Sequence, residues 1–366
     1  MIEESNKLLY RDELILYLIH CFQGERTISG IYHLLKGKKS AQSIQDSYLF
    51  HVEPFFHTCE DLDRMEFDSL IMECQHAGWI CPKNDNSHHY ILTQMGNEAL
   101  AGQKTNLFPD GLRLTDYIND ESQYWLKLQL MVQSLSALVH HQQAYLPLTH
   151  VPSVTESVRR CLLSTTLSRH DLANRFYEEL VRLLSNCPSK EADLLVSQLT
   201  GFKKNGLTIR QIAVLTDRDN YECRLLFKSG LRRVMKQIAE KPDQFPYNSK
   251  LLHTQRSGLS RSAAETLQRI RDGLSLGEVA RSRRLTESTV EDHLVEIVLK
   301  DPNFEVNHYL TDELELQIIQ TATAAKTRQL KAIKSQLKAQ ASYFQIRLAL
   351  ARNAVRKGET FGGTSR

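Results

Sequence analysis

Apolar residues recur at intervals of three and four through almost the whole chain. That spacing restricts the fold most, because it is the repeat of one face of an α-helix. Leu8, Leu9, Leu14, Ile15, Leu18, Ile19 and Phe22 form one broad stripe ending before Gly24. Thr27 can cap a second helix, which runs through Ile31, Leu34 and Leu35 toward Gly37, and a third spans about Leu62 to His76 and stops at Gly78. One stretch differs in kind. Trp79-Ile80, a polar turn at Asn84-Asp85-Asn86 and Tyr90-Ile91-Leu92 predict a short hairpin, after which Thr93 can cap a closing helix. Farther on, Tyr124 to Val139 reads as a largely buried helix, and three more follow at about 154–166, 171–185 and 190–200. The expected class is mainly α. With 366 residues, and domains of roughly 100–200 residues each, the chain is expected to be multidomain.

GQKTNLFPD at 102–110 and EKPDQFPYNSK at 240–250 have the Gly, Pro and polar content of linkers. They divide the chain into an N-terminal domain (1–103), a helical middle domain (104–249), a third domain (250–311) and a C-terminal long helix with a frayed tail (312–366). Three helices, a hairpin and a closing helix resemble the winged-helix arrangement, and GWI…YILTQMGNEAL carries the likeness. In winged helices that bind DNA the third helix is usually basic, whereas CEDLDRMEFDSLIMEC is strongly acidic and repels phosphate. The N-terminal module is expected to be structural, or else a protein-binding wing. In the terminal helix Leu330, Leu337, Phe344 and Ala351 recur every seven residues, with Ala341, Leu348 and Val355 beside them. Residues 330–355 therefore offer a seam, either for self-association or for packing on their own chain.

The formal net charge of +3 hides a split: residues 1–125 carry 10 Lys and Arg against 19 Asp and Glu, residues 126–249 carry 17 against 11, and residues 250–366 carry 19 against 13. A polyanion is expected to meet the rear two-thirds. No apolar run approaches the roughly 18 residues of a membrane span, so no membrane partner is expected. The acidic opening MIEESNKLLYRDE is unlike a secretory signal, which points to the cytoplasm, beside the nucleoid if DNA is the partner. Seven cysteines without a CxxC pair exclude a disulfide framework and a zinc ribbon. A phosphate-binding loop needs four residues between its glycines, and GIYHLLKGKKS puts six between Gly30 and Gly37. The pairs His88-His89 and His140-His141 point their side chains apart, which suits a single metal ion poorly, and Cys74, His76 and Cys81 lack a second half-site. No catalysis, cofactor or metal is expected.

The most informative stretch starts at Ser260 and reads SRSAAETLQRIRDGLSLGEVARSRRLTESTVEDHLVEIVLK. Ala264, Leu267 and Ile270 give a first helix its apolar face, and Asp272-Gly273 end it. Leu276, Val279 and Ala280 mark a short second helix, with Ala280 small enough for a close crossing. Leu285 packs the turn, Thr286 caps, and Val290, Leu294 and Ile297 face a third helix inward. This order is that of a helix-turn-helix. Such a unit sets the first residues of its last helix against base edges while arginines hold phosphates. The candidate DNA-binding residues are Arg261, Arg269, Arg281, Arg283 and Arg284 for phosphates, with Thr286, Ser288, Thr289 and His293 along the last helix. A solvated face is the equal alternative for the arginines. Among the outward residues Glu287, Glu291 and Asp292 are acidic, so weak or shape-based engagement of DNA is expected over base-specific reading. A second helix, turn and helix is expected at 206–235, in GLTIRQIAVLTDRDNYECRLLFKSGLRRVM, with an irregular turn and a packing role.

The segment from Ser260 resembles the helix-turn-helix domain at the C-terminal ends of some RecQ-type DNA helicases. The whole chain resembles the YpbB-type helix-turn-helix proteins of Gram-positive bacteria. That likeness is carried by TLQRIRDGLSLGEVARSRRLTESTVEDHL, by GLTIRQIAVLTDRDN and by the opening YRDELILYLIHCFQGERTISGIYHLLKGKKSAQSIQD. Members of the family are encoded next to a RecQ-type helicase that lacks such a tail. The resemblance implies a non-catalytic accessory protein that binds a RecQ-type helicase and supplies the module in trans, in DNA repair, recombination or replication. The alternative is a transcription regulator that binds a specific operator through the same helix-turn-helix.

Overall fold

The structure, a computed structural model, describes residues 8–84, 88–102, 108–142, 145–252, 258–301, 303–337 and 340–362. It forms two compact units, Met1–Arg11 with Lys104–Gly258 and Asp12–Gln103 with Leu259–Arg366. Most of the segments 1–103, 250–311 and 312–366 thus lies in one unit, and segment 104–249 lies in the other.

The chain opens with α1 (Tyr10–Phe22), α2 (Ile28–Lys36), α3 (Ala41–Leu49) and α4 (Arg64–His76). An antiparallel hairpin follows, β1 (Ile80–Pro82) and β2 (Tyr90–Leu92) with Cys81 opposite Ile91, and α5 (Gln94–Ala101) closes the module. Local chemistry sets the ends. Gly37 leaves α2 at φ 75°, and the Asp63 carboxylate accepts from the amides of Met65 and Glu66 to start α4. At Gly96 a Cβ would stand 2.1 Å from the Trp79 carbonyl oxygen, so only glycine lets α5 cross the hairpin this closely. Of the expected stripe, Leu14, Ile15, Leu18, Ile19 and Phe22 are buried with Leu34, Leu35, Phe67, Leu70 and Ile71, whereas Leu8 and Leu9 precede α1 and Leu9 is exposed. The hairpin turn residues Asp85 and Asn86 lie outside the described residues. One helix is new relative to the sequence expectation. In α3, AQSIQDSYL, most of what is buried is polar, namely Gln45, Asp46 and Ser47, so no apolar stripe announces it. Arg26 answers Asp46 at 2.8 Å.

The other unit holds α6 (Glu121–Val139), α7 (Pro152–Leu163), α8 (Arg169–Ser185), α9 (Ser189–Ser197), α10 (Ile209–Thr216), α11 (Asn220–Glu240) and α12 (Pro246–Leu251). Tyr124, Leu128, Met131 and Leu135 of α6 share a core with Leu231, Val234, Met235 and Ile238 of α11. Glu121 is fully buried and is held by Lys228 at 2.6 Å and Arg232 at 2.9 Å, since a buried carboxylate without such partners would cost several kcal/mol. Two sequence expectations are corrected here. The segment EKPDQFPYNSK is no linker: Pro242 opens a 3₁₀ turn and Pro246 opens α12, because a fixed φ and a missing N–H suit the first turn of a helix. Phe245 joins the core, and Asn248, fully buried, bonds the Tyr124 hydroxyl at 3.0 Å and the Glu179 carboxylate at 2.8 Å. Nor is the turn between α10 and α11 irregular. A Thr208–Gln211 capping box, an eight-residue helix, a left-handed Asp217 at φ 51° and a capping Asp219 follow one another.

The chain then returns to the unit that holds Asp12–Gln103 with α13 (Arg261–Arg271), α14 (Leu276–Arg283), α15 (Glu287–Lys300), α16 (Asp312–Ala324), α17 (Leu330–Gln336) and α18 (Tyr343–Gly362). The long terminal helix is α18. The heptad run across 330–355 is not one helix, because α17 ends at Gln336 and α18 begins at Tyr343, where the Ser342 hydroxyl accepts the Gln345 amide at 3.1 Å. Seam residues Leu337 and Ala341, between the two helices, and Leu348 and Ala351, on α18, are buried. Seven-residue spacing is satisfied equally by two helices that share one core. At the far end α18 continues to Gly362, through most of what reads as a frayed tail, and residues 363–366 lie outside the described residues.

Candidate nucleic-acid interface

Each local signal in the helix-turn-helix resolves into a contact. Ser260 caps α13 through the Ala263 amide. Ser275 and Glu278 form a reciprocal capping box at the start of α14, and α14 ends on Arg284 in the left-handed region at φ 54°. Leu285 donates its amide to the Ala280 carbonyl at 2.9 Å, and the Thr286 hydroxyl accepts from Thr289 N–H to start α15. Val279, Ala280 and Val290 form a small core under the turn, with Ile270, Leu274, Leu276 and Leu285 against it. Leu294 and Ile297 meet Ala263 and Leu267 behind it. GLSLG at 273–277 has the GxSxG spacing of a hydrolase nucleophile elbow. Ser275 follows a helix and not a strand, however, and its hydroxyl is tied to Glu278 at 2.6 Å.

The nine candidate residues separate into distinct surroundings. Arg281, Arg284, Thr286 and Ser288 are exposed and follow one another around the α14–α15 turn, while Thr289 is half-buried with its hydroxyl 2.8 Å from that of Thr286. Arg281 and the Glu287 carboxylate converge over Gly277. Arg261 is exposed at the start of α13 and pairs with Glu265 at 3.3 Å, and Arg269 is half-buried near the end of that helix. Arg283 points into the fold. Its guanidinium donates to the Ser262 carbonyl at 2.7 Å, the Ser262 hydroxyl at 3.0 Å, Glu265 at 3.1 Å and the Thr266 hydroxyl, and only 9% of the side chain is exposed. His293 turns the same way, with Nδ1 2.8 Å from the Thr266 hydroxyl. Burial, and then the charge of Arg283, hold the His293 imidazole below its ordinary pKa, so it is neutral near pH 7.

The outer side of α15 is covered from within its own unit. Val295, Val298 and Leu299, past the first turns of the helix, are buried, and α15 packs against both α3 and α18. Arg347 of α18 bridges these elements. It meets Asp292 at 2.5 Å, donates from Nε to the Gln45 side-chain oxygen at 3.0 Å, and accepts from the Gln45 amide at its own carbonyl, also at 3.0 Å. The Lys300 ammonium lies 5.5 Å from the Tyr48 ring centre. Of the three outward acids of α15, Asp292 is therefore neutralised, and Glu291 is half-buried, its carboxyl pushed up by burial against the pull of Arg347. Glu287 remains at the tip. Gln45 and Arg347 carry no motif in the sequence; the one available signal is an arginine inside the apolar run IRLALA.

The α10–α11 pair repeats the α14–α15 turn residue for residue, with Asp217 in the place of Arg284 and Asp219 in that of Thr286. Its second helix is buried from Cys223 to Arg232, so that stretch has no exposed side to offer a groove. Where α14 exposes Arg281 and Ser282, α10 exposes Val214 and Leu215.

All seven cysteines are free, and burial pushes the thiols of Cys21, Cys161 and Cys187 up to about 11. Such thiols are poor ligands and poor nucleophiles. Cys74 is buried while His76 is exposed, and His140 stacks on Phe202 at 4.4 Å between ring centres. Among the described residues no helix is long and apolar enough to cross a membrane.

A family model described as a helix-turn-helix domain matches residues 262–350, a span that runs from the second residue of α13 through α14 and α15 and reaches into α18. The chain is also similar to Protein YpbB of Bacillus subtilis (strain 168), with 29% identity over 350 residues that cover 94% of this chain and 98% of that one. No solved structure matches the chain.

Proposed function

We propose that this chain, a YpbB-type helix-turn-helix protein, is a non-catalytic accessory factor that binds a RecQ-type DNA helicase and supplies the helix-turn-helix in trans, in DNA repair, recombination or replication. The observation that carries the reading is the shape of the interface. Arg281, Arg284, Thr286 and Ser288 are exposed at the α14–α15 turn, while the flank of α15 beyond Asp292 is covered by α3 and α18. Such a tip touches phosphates and the edge of a groove, and it leaves few positions to distinguish bases. Weak contact of this kind is useful when a partner supplies local concentration: a helicase held beside it gains DNA residence without high affinity from either surface. DNA near the unwinding junction is the place where this contact would act, in the nucleoid-facing cytoplasm.

Two measurements test the proposal. Affinity purification of the tagged chain from its own cells, with nuclease present, should recover a RecQ-type helicase in near-equal amount; recovery of none would overturn the partnership. Arg281→Ala with Arg284→Ala should weaken DNA binding uniformly across sequences and lower the slope of log affinity against log salt by about 2. The operator-binding alternative requires one duplex to be strongly preferred in selection from random sequences. The covered flank of α15 weighs against it.

A further inference from the structure

The other surface that stands out is on α4. Met65 is 81% exposed and Met72 is 55% exposed; they lie two turns apart on one line of the helix, with exposed Ser69 between. Met95, 49% exposed, opens α5 with its sulfur against Gly78, just past the end of α4. The opposite face of α4 is fully used, since Phe67, Leu70, Ile71 and Cys74 are buried in the module's core. Carboxylates flank the methionines: by helical spacing Glu66 and Glu73 lie on one side of the line and Asp68 on the other, and Asp61 and Asp63 are exposed at the start of α4. The single Lys or Arg between Cys59 and His76 is Arg64, which is spent on Asp68 at 2.9 Å and on the Tyr32 ring at 5.1 Å. An apolar ridge in an acidic rim repels nucleic acid and attracts a basic protein surface. Thioether side chains, flexible and polarisable, adapt to apolar groups set between them.

We propose that this face of α4, with Met95 at its end, docks a basic amphipathic helix of a partner protein. Leucine-sized side chains of that helix seat along the Met65–Met72 line, and its lysines or arginines flank them against the acidic rim. The surface takes its purpose from the tethering reading, because an accessory factor needs a grip on protein as well as on DNA, but it does not depend on which protein is gripped.

The test uses the full chain and three labelled 18-residue helical peptides: one with leucines two turns apart flanked by lysines, one with the leucines changed to serine, and one with the lysines changed to glutamate. Fluorescence anisotropy should show binding of the first alone, weakening as salt rises. Met65→Ser with Met72→Ser should weaken it at least tenfold, Glu66→Gln with Glu73→Gln should flatten its salt dependence, and Arg281→Ala with Arg284→Ala should leave it unchanged. Matching thermal unfolding curves exclude loss of fold in these surface variants. Equal binding of the serine peptide, no binding of the leucine peptide, or indifference to the methionine changes overturns the proposal. So does self-association of the chain that the methionine changes abolish, since the occupant is then a second copy. Failure of the tethering reading appears elsewhere, as the absence of a helicase from the native purification, and leaves the peptide result standing.

Discussion

Arg283 and Arg284 are neighbours in sequence with opposite employment. The first is built into the fold through Ser262, Glu265 and Thr266, so Arg283→Ala should lower stability by about 2–3 kcal/mol in urea unfolding, the cost of leaving several charge-assisted bonds unmade. The second occupies a left-handed backbone position, which costs a residue with a Cβ about 1 kcal/mol. Arg284→Gly should therefore raise stability by about 0.5–1 kcal/mol and still weaken DNA binding. An unchanged DNA affinity would show that Arg284 holds no phosphate. His293 supplies a pH signature. Its imidazole is held below the ordinary 6.5 by burial and by Arg283, so the unfolded chain takes up a proton that the folded chain rejects. This contribution to stability is complete above 6.5 and is lost as pH falls from there through the lowered folded value. His33, lowered in the same direction by burial, adds to the slope. His293→Gln should reduce the dependence of unfolding free energy on pH below 6.5, and an unchanged slope would place the effect elsewhere.

At the scale of elements, the acidity of α15 has to be judged with its neighbours. Asp292 gives its charge to Arg347, so a double-mutant cycle with Asp292→Asn and Arg347→Gln should return a coupling of about 0.5–1 kcal/mol, kept low because the carboxylate is partly exposed. Additive effects in thermal or urea unfolding would mean that the pair is only geometric. The contrast also explains what could be read in advance. The turn at 284–286 with its cap at Thr286, the small Ala280 and the end of α2 at Gly37 are fixed by residues within a turn or two, and their spacing announces them. The inward set of Arg283 and His293 is fixed by Thr266, which lies 17 and 27 positions away. Gln45 and Arg347, 302 positions apart, are farther still from any local pattern. In α3 a polar sequence is buried because what it meets is polar. In EKPDQFPYNSK the prolines that suggest a linker serve as helix starts, and composition alone does not separate the two uses.

At the scale of the molecule, the same seam of residues allows two different fates for the C-terminus. Heptad spacing over 330–355 suits a second copy of the chain or the chain itself, and the distinction lies in what is already covered. Leu348 is fully buried, Ala349 and Ala351 likewise, and α18 packs on α3, α15, α16 and α17. The helix that would serve as a dimer seam is thus the one that joins the N-terminal module to the helix-turn-helix inside one unit. Leu348→Asp puts a charge at a fully buried position of that helix, a change that should cost more than about 4 kcal/mol. Hydrogen exchange should then lose protection together in residues 12–101 and 259–362, while residues 121–251 keep theirs. If 330–355 served self-association, protection would survive in both units and sedimentation would shift to a smaller species. Joint loss of protection across two segments more than 150 residues apart in sequence has no explanation in a free-standing terminal coil, and follows directly from a helix packed between them.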